Sequence, residues 1–226
     1  MSAYAQLPVL EQAILTLTAL VLLSSFALLA QSRDIATIKT FAWQGLLLSG
    51  VTLLVAIDTG ERQLYVSALL TLGLKVIFIP WLLMRQSRVL GILRDLDTVV
   101  RPGILLLAAS AMVIFCYSVA QPIERYAAGI TRDAIALSLA VVMLSMLMLI
   151  TRRKAITQVV AFMALENGLF FAAVSTTHGM PMVVELGVAF DVLVAAIIFG
   201  IFFFHIRDSI ESLDISQLSR LSEADE

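Results

Sequence analysis

Four ionisable side chains fall within apolar stretches of this sequence, where charge is costly: Lys75, Glu166, Glu185 and Asp191. A charge at membrane depth costs at least a few kcal/mol, so each such residue points to a function and calls for a partner. Taking a carboxylate out of water favours its protonated form, whereas a neighbouring ammonium favours the ionised one. A carboxyl held between these two pulls takes up and releases a proton as its surroundings change. The chemistry these residues suggest is therefore proton handling, with Glu166, Asp191, Lys75 and Glu185 as the relay. The competing reading is a structural ion pair, Lys75 with one acid, that fixes helix register and moves no protons.

Spacing gives each group a depth. At about 1.5 Å per residue, Lys75 lies roughly 15 Å from the edge marked by Arg85, and Glu166 a similar distance from Ile156. Asp191, counted from Met182 at the opposite edge, reaches the same level. Glu185 lies only roughly 5 Å from that edge, where an interfacial acid is an equally good reading. Helical periodicity sets Glu185 and Asp191 about 120° apart, so one helix would offer acids to two neighbours. Asn167, Gln44, Ser67, Thr71, Ser138 and Ser145 suggest a wet path near these groups. The small residues Gly168, Gly187, Ala189, Ala195 and Ala196 favour close helix packing.

Other chemistries find less support. His178, within THGMP, fits a turn or an outer proton exit, and His205 belongs to the opposite face, so the two cannot share a haem. Cys116 is the one cysteine, which rules out an intrachain disulfide and a cysteine-bound zinc or iron–sulfur centre. The methionines are scattered as packing residues. Nucleophile-elbow, zinc-protease, Walker and dinucleotide-binding motifs are all missing. We therefore expect no catalytic residue, metal site or cofactor in this chain. The near balance of 15 basic and 17 acidic residues offers no face for nucleic acid.

The elements that must position these groups are membrane helices. Of 226 residues, 60% are hydrophobic and 14% charged, far from a soluble average. Apolar runs long enough to cross a bilayer recur at about Pro8–Ala30, Phe41–Ile57, Leu64–Met84, Pro102–Ala120, Ala134–Ile150, Ile156–Thr176 and Met182–Phe204. Helices are required because backbone polar groups cannot be left unpaired in lipid. The fold expected is all-α, an integral membrane protein of about seven transmembrane helices. The first run lacks a basic flank and a cleavage site, and reads as a retained helix.

Eleven Lys and Arg residues flank these runs on one side (Arg33, Lys39, Arg85, Arg88, Arg94, Arg101, Arg152, Arg153, Lys154, Arg207 and Arg220), against three on the other (Arg62, Arg125 and Arg132). That asymmetry puts the amino terminus outside and the carboxyl terminus in the cytoplasm, in contact with membrane lipid throughout. The connection from Arg85 to Arg101 reads as a short interfacial helix or a solvated basic loop. Residues 1–132 form a four-helix amino-terminal region, 133–207 a three-helix region and 208–226 a cytoplasmic tail.

The segments LENG, GMPMVVELGVAFD and LDISQLSRL resemble the hydrogenase-4 component E family, membrane subunits of group 4 [NiFe] hydrogenase and formate hydrogenlyase complexes. More distantly, Ala134 to Arg207 is similar to the three-helix K subunit of respiratory complex I and its counterpart in multisubunit antiporters. That likeness implies relay carboxylates at Glu166 and at Asp191, where aspartate stands for the family's usual glutamate. It offers no counterpart for Glu185 or Lys75. The resemblance implies a multi-pass subunit of a bacterial or archaeal cytoplasmic (inner) membrane. Its partners would be antiporter-like large membrane subunits and a soluble hydrogenase arm, which would carry the nickel–iron centre and iron–sulfur clusters. The chain would then be a non-catalytic subunit of an oxidoreductase complex, contributing to proton translocation and scaffolding. The alternatives are a stand-alone proton- or sodium-coupled transporter and a structural anchor.

Overall fold

A computed structural model describes residues 8–89, 102–124, 130–177, 187, 189–198 and 200, and every extended element among them is a helix. Six helices are long and apolar enough to cross a membrane. We number them α1 (Val9–Ala30), α2 (Asp34–Thr59), α3 (Arg62–Val89, in three segments), α4 (Pro102–Glu124), α5 (Ile130–Thr151) and α6 (Ala155–Thr177). A shorter apolar helix, α7, covers Ala189–Ile198 within the expected seventh span. The chain is thus a multi-pass, all-α membrane protein.

Two boundaries show how the local sequence sets the elements. Gly60 closes α2 at φ 72°, a left-handed conformation that costs glycine little. At its other end α2 begins at Asp34, a turn and more before the apolar run at Phe41. The early start is stabilised by burial. Asp34 is enclosed and its carboxylate meets Lys154 Nζ at 3.3 Å. An acid in the first turn also complements the helix dipole.

The helix α3 is irregular where it matters. Its first segment, Arg62–Thr71, runs into a π-helical stretch, Leu72–Phe78, before α geometry resumes at Ile79–Val89. The Ile79 N–H reaches back to the Leu74 carbonyl, one residue further than in an α-helix. Pro80 follows directly and has no N–H to donate, which frees a carbonyl on the preceding turn. In lipid such departures need support from neighbours. Ser49 of α2 supplies part of it, donating to the Ala68 carbonyl at 2.8 Å.

The helices α5 and α6 pack along their length, and α1, α2 and α3 assemble beside them. The α5–α6 crossing is close because Gly168 has no side chain. A Cβ there would lie 2.8 Å from Val142 Cγ2 and 3.0 Å from the Val142 amide nitrogen. Buried Ile38, Phe41, Ile79, Leu82, Leu144 and Met163 join α2, α3, α5 and α6 in one core. By contrast α4 lies at the edge, against α1 and α5, with Ile104, Leu107, Ile114 and Phe115 turned outward. An apolar exterior of this kind suits a hydrocarbon solvent.

Candidate functional site: a buried ionic cluster

Three ionisable groups from three helices meet in the interior. Lys75, at the centre of the π-helical stretch, is only 2% exposed. Its ammonium lies 2.8 Å from Glu166 Oε1 of α6 and 3.5 Å from Asp191 Oδ1 of α7. It also donates a 2.9 Å hydrogen bond to Asn167 Oδ1 and stands 5.8 Å from the centre of the Phe170 ring. One ammonium therefore faces three oxygens, the amide through a hydrogen bond and the two carboxylates as ion-pair partners. The fold thus brings Lys75, Glu166 and Asp191 together.

The close approach depends on small neighbours. Gly45 of α2 sits behind Lys75, and a Cβ at that position would come within 3.3 Å of the lysine Cβ. Gly187 lies against Glu166, its hypothetical Cβ 3.7 Å from Oε1. A cavity of about 290 Å³, lined by Phe162, Leu165, Leu169, Phe170, Gly187 and Phe190, reaches Glu166 between α6 and α7. Its walls are apolar apart from that carboxyl. Glu166 Oε2 is buried and meets no donor among the described residues.

A second set of polar groups leads away from Lys75 on the opposite side. Asn167 donates to Gln44 Oε1 at 3.3 Å, and Gln44 donates to Ser25 Oγ at 2.8 Å. The Ser25 hydroxyl ends the series by donating to the Val21 carbonyl at 3.1 Å. Of the polar residues expected to form a wet path, Asn167 and Gln44 therefore join the cluster. Ser138 and Ser145 do not: each bonds a carbonyl of its own helix, at Ile135 and Val141. Ser67 and Thr71 are buried, but no bond ties them to Lys75. Glu185, His178, His205, the tail and most of the Arg85–Arg101 connection lie outside the described residues.

Sequence reasoning missed Ser25, Gly45 and one other buried cation. Arg152, counted among the loop charges, is 1% exposed. Its Nη2 donates to the Leu29 carbonyl at 2.9 Å and to that of Gln31, while Gln158 caps the Arg152 carbonyl. The guanidinium thus binds the carbonyls left open at the end of α1. With Lys154 on Asp34, this contact joins the α1–α2 and α5–α6 connections at one face, as alternating spans require.

The chain is 31% identical over 196 residues to the uncharacterized protein Rv0085 of Mycobacterium tuberculosis, covering 86% of this chain and 89% of that protein. The chain belongs to the Rv0085 family. Its homology to hydrogenase-4 component E of Escherichia coli is more distant, 22% over 205 residues, and spans 91% of this chain and 95% of that protein. Hydrogenase-4 component E of Shigella flexneri matches equally. No protein-family model matches the chain. No solved structure does either.

Proposed function

We propose that the chain is a membrane subunit of a hydrogenase-type complex, and that Lys75, Glu166 and Asp191 are its proton-exchange site. The observation that carries this reading is the convergence of two carboxyls on one buried ammonium. With both acids ionised, the cluster would hold a net negative charge in a poorly solvated interior, which is costly. One proton shared between the carboxyls cancels that excess charge. A purely structural pair needs only one acid. The second acid gives the proton a place to move.

Homology to hydrogenase-4 component E supports placing the subunit in such a complex. In this reading the antiporter-like membrane subunits lie beside it, and the soluble arm holds the nickel–iron and iron–sulfur chemistry. The amino terminus faces outward and the basic connections face the cytoplasm. The α6–α7 cavity that reaches Glu166 supports lateral exchange with a neighbouring subunit.

The test is Glu166→Gln in the assembled complex. Assembly should stay near normal, because glutamine keeps the shape and can still accept from Lys75. Proton translocation per turnover should fall about a hundredfold or more, the scale of a lost acid–base group. Unchanged translocation in an assembled variant removes Glu166 from the path.

A further inference from the structure

The hydrogen bonds from Lys75 to α1 all run in one direction. An ammonium has donors only, so the Asn167 atom facing it must be the amide oxygen. The Asn167 NH2 then points at Gln44, which must answer with its own oxygen, leaving the Gln44 NH2 for Ser25. Ser25 accepts that bond and donates its own hydroxyl hydrogen bond to the Val21 carbonyl, which can only accept. The donor-only end and the acceptor-only end dictate the same orientation for both amides. All three side chains are deeply buried, Gln44 and Asn167 at 0% and Ser25 at 3% exposure, so water does not compete.

A neutral amide holds its protons at every step of such a series, unlike a carboxyl or a water molecule. We propose that Ser25–Gln44–Asn167 is a positioning strut, which holds Lys75 as donor against Glu166 and Asp191 and conducts no protons itself. The inference rests on the reading that the cluster exchanges protons, and it gives that exchange a direction. Traffic enters and leaves through the carboxyls of α6 and α7, and the α1–α2 side is closed. Asn167 and Gln44 are positioning residues, since they act through Lys75.

The chain contains only three lysines, Lys39, Lys75 and Lys154, so ¹⁵N-lysine labelling of the full chain in lipid vesicles gives a simple side-chain spectrum. Lys75→Met assigns the resonance. Asn167→Leu should shift it, and so should Gln44→Leu, although Gln44 bonds Asn167 and not the lysine. Ser145→Ala, which removes a hydroxyl bonded within its own helix, should leave it in place. An unmoved resonance in Gln44→Leu overturns the strut.

Translocation by the assembled complex tests conduction. Gln44→Leu should retain a substantial fraction of the protons moved per turnover. If instead it abolishes them as fully as Glu166→Gln, the amides belong to the path and the proposal is overturned. An intact Glu166→Gln would overturn the proton reading of the cluster alone, because the lysine spectrum reports on the strut without any turnover.

Discussion

Lys75 and Arg152 are buried to the same degree, at 2% and 1% exposure, one from the middle of an apolar span and the other from a basic connection, yet they are held in opposite ways. Lys75 faces two carboxyls and an amide across helices α3, α6 and α7. Arg152 faces the backbone carbonyls that end α1. Backbone carbonyls do not titrate, and a guanidinium keeps its charge at any physiological pH. The arginine contact is therefore permanent, a fastening between two connections. The lysine has partners whose charge can change, on a helix whose backbone is already distorted around it. Burial alone does not mark a functional cation. The chemistry of what it touches does.

The sharpest way to break this contrast is to remove each cation in turn. In Lys75→Met, two carboxyls remain with no buried counter-charge, and turnover-linked proton translocation should be largely abolished. The measurement is translocation per assembled complex, so that altered yield does not enter. Arg152→Met should do the reverse. Losing charge-assisted bonds to buried carbonyls should cost about 3 kcal/mol, read as a lower unfolding midpoint in detergent. Complexes that do assemble should translocate normally. Arg152→Lys should rescue little, because one ammonium cannot reproduce the planar fork of donors. If Arg152→Met lowers translocation per complex as Lys75→Met does, the two cations belong to one system.

A smaller effect is expected at Pro80, which tests whether the distorted backbone matters to Lys75. Pro80→Ala restores an N–H just after the π-helical stretch and lets α geometry close through it. Closing the wide turn shifts the helix register by one residue and rotates the preceding segment by about 100°, enough to turn Lys75 from its partners. Translocation should drop severalfold while thermal stability holds or rises. A Pro80→Ala variant with wild-type translocation and a wild-type Lys75 resonance would show that the π-turn is incidental. The π-helical stretch is a common signature of functional sites in helices, and here it can be tested on one side chain.

How far the sequence foretold this arrangement differs between the two cations. Lys75, Glu166 and Asp191 stand out because each interrupts an apolar run, and counting residues from the span edges brings them to one level. Their meeting follows from depth alone once the helices pack. Which polar neighbours join them does not follow. Ser145 and Gln44 look equally suited as polar residues within spans, but the short serine side chain satisfies itself on its own helix, whereas glutamine reaches across. Arg152 is hidden for another reason. It sits in the run RRK between two spans, where basic residues ordinarily mark a cytoplasmic loop, and only the fold shows the end of α1 against it. The start of α2 shares that blind spot, since Asp34 is buried through Lys154, a partner 120 positions away. Gly73 and Pro80 around Lys75 were the available signs of an irregular helix.

The Lys154–Asp34 pair tests the same contrast where the smallest change is expected. Its lysine is 18% exposed and its carboxylate 5%, so the ammonium still reaches water while the acid does not. Water at the ammonium screens the attraction, which holds its contribution to about 1 kcal/mol. Asp34 also keeps the favourable field of the α2 amino terminus when the lysine is gone. Lys154→Met should therefore lower the unfolding midpoint only slightly, well short of Arg152→Met, and leave translocation unchanged. The double variant Lys154→Met/Arg152→Met shows whether the two contacts fasten the connections independently. Additive losses mean separate fastenings; a double variant no worse than Arg152→Met means that Lys154 holds Asp34 only while the guanidinium keeps α1 in place.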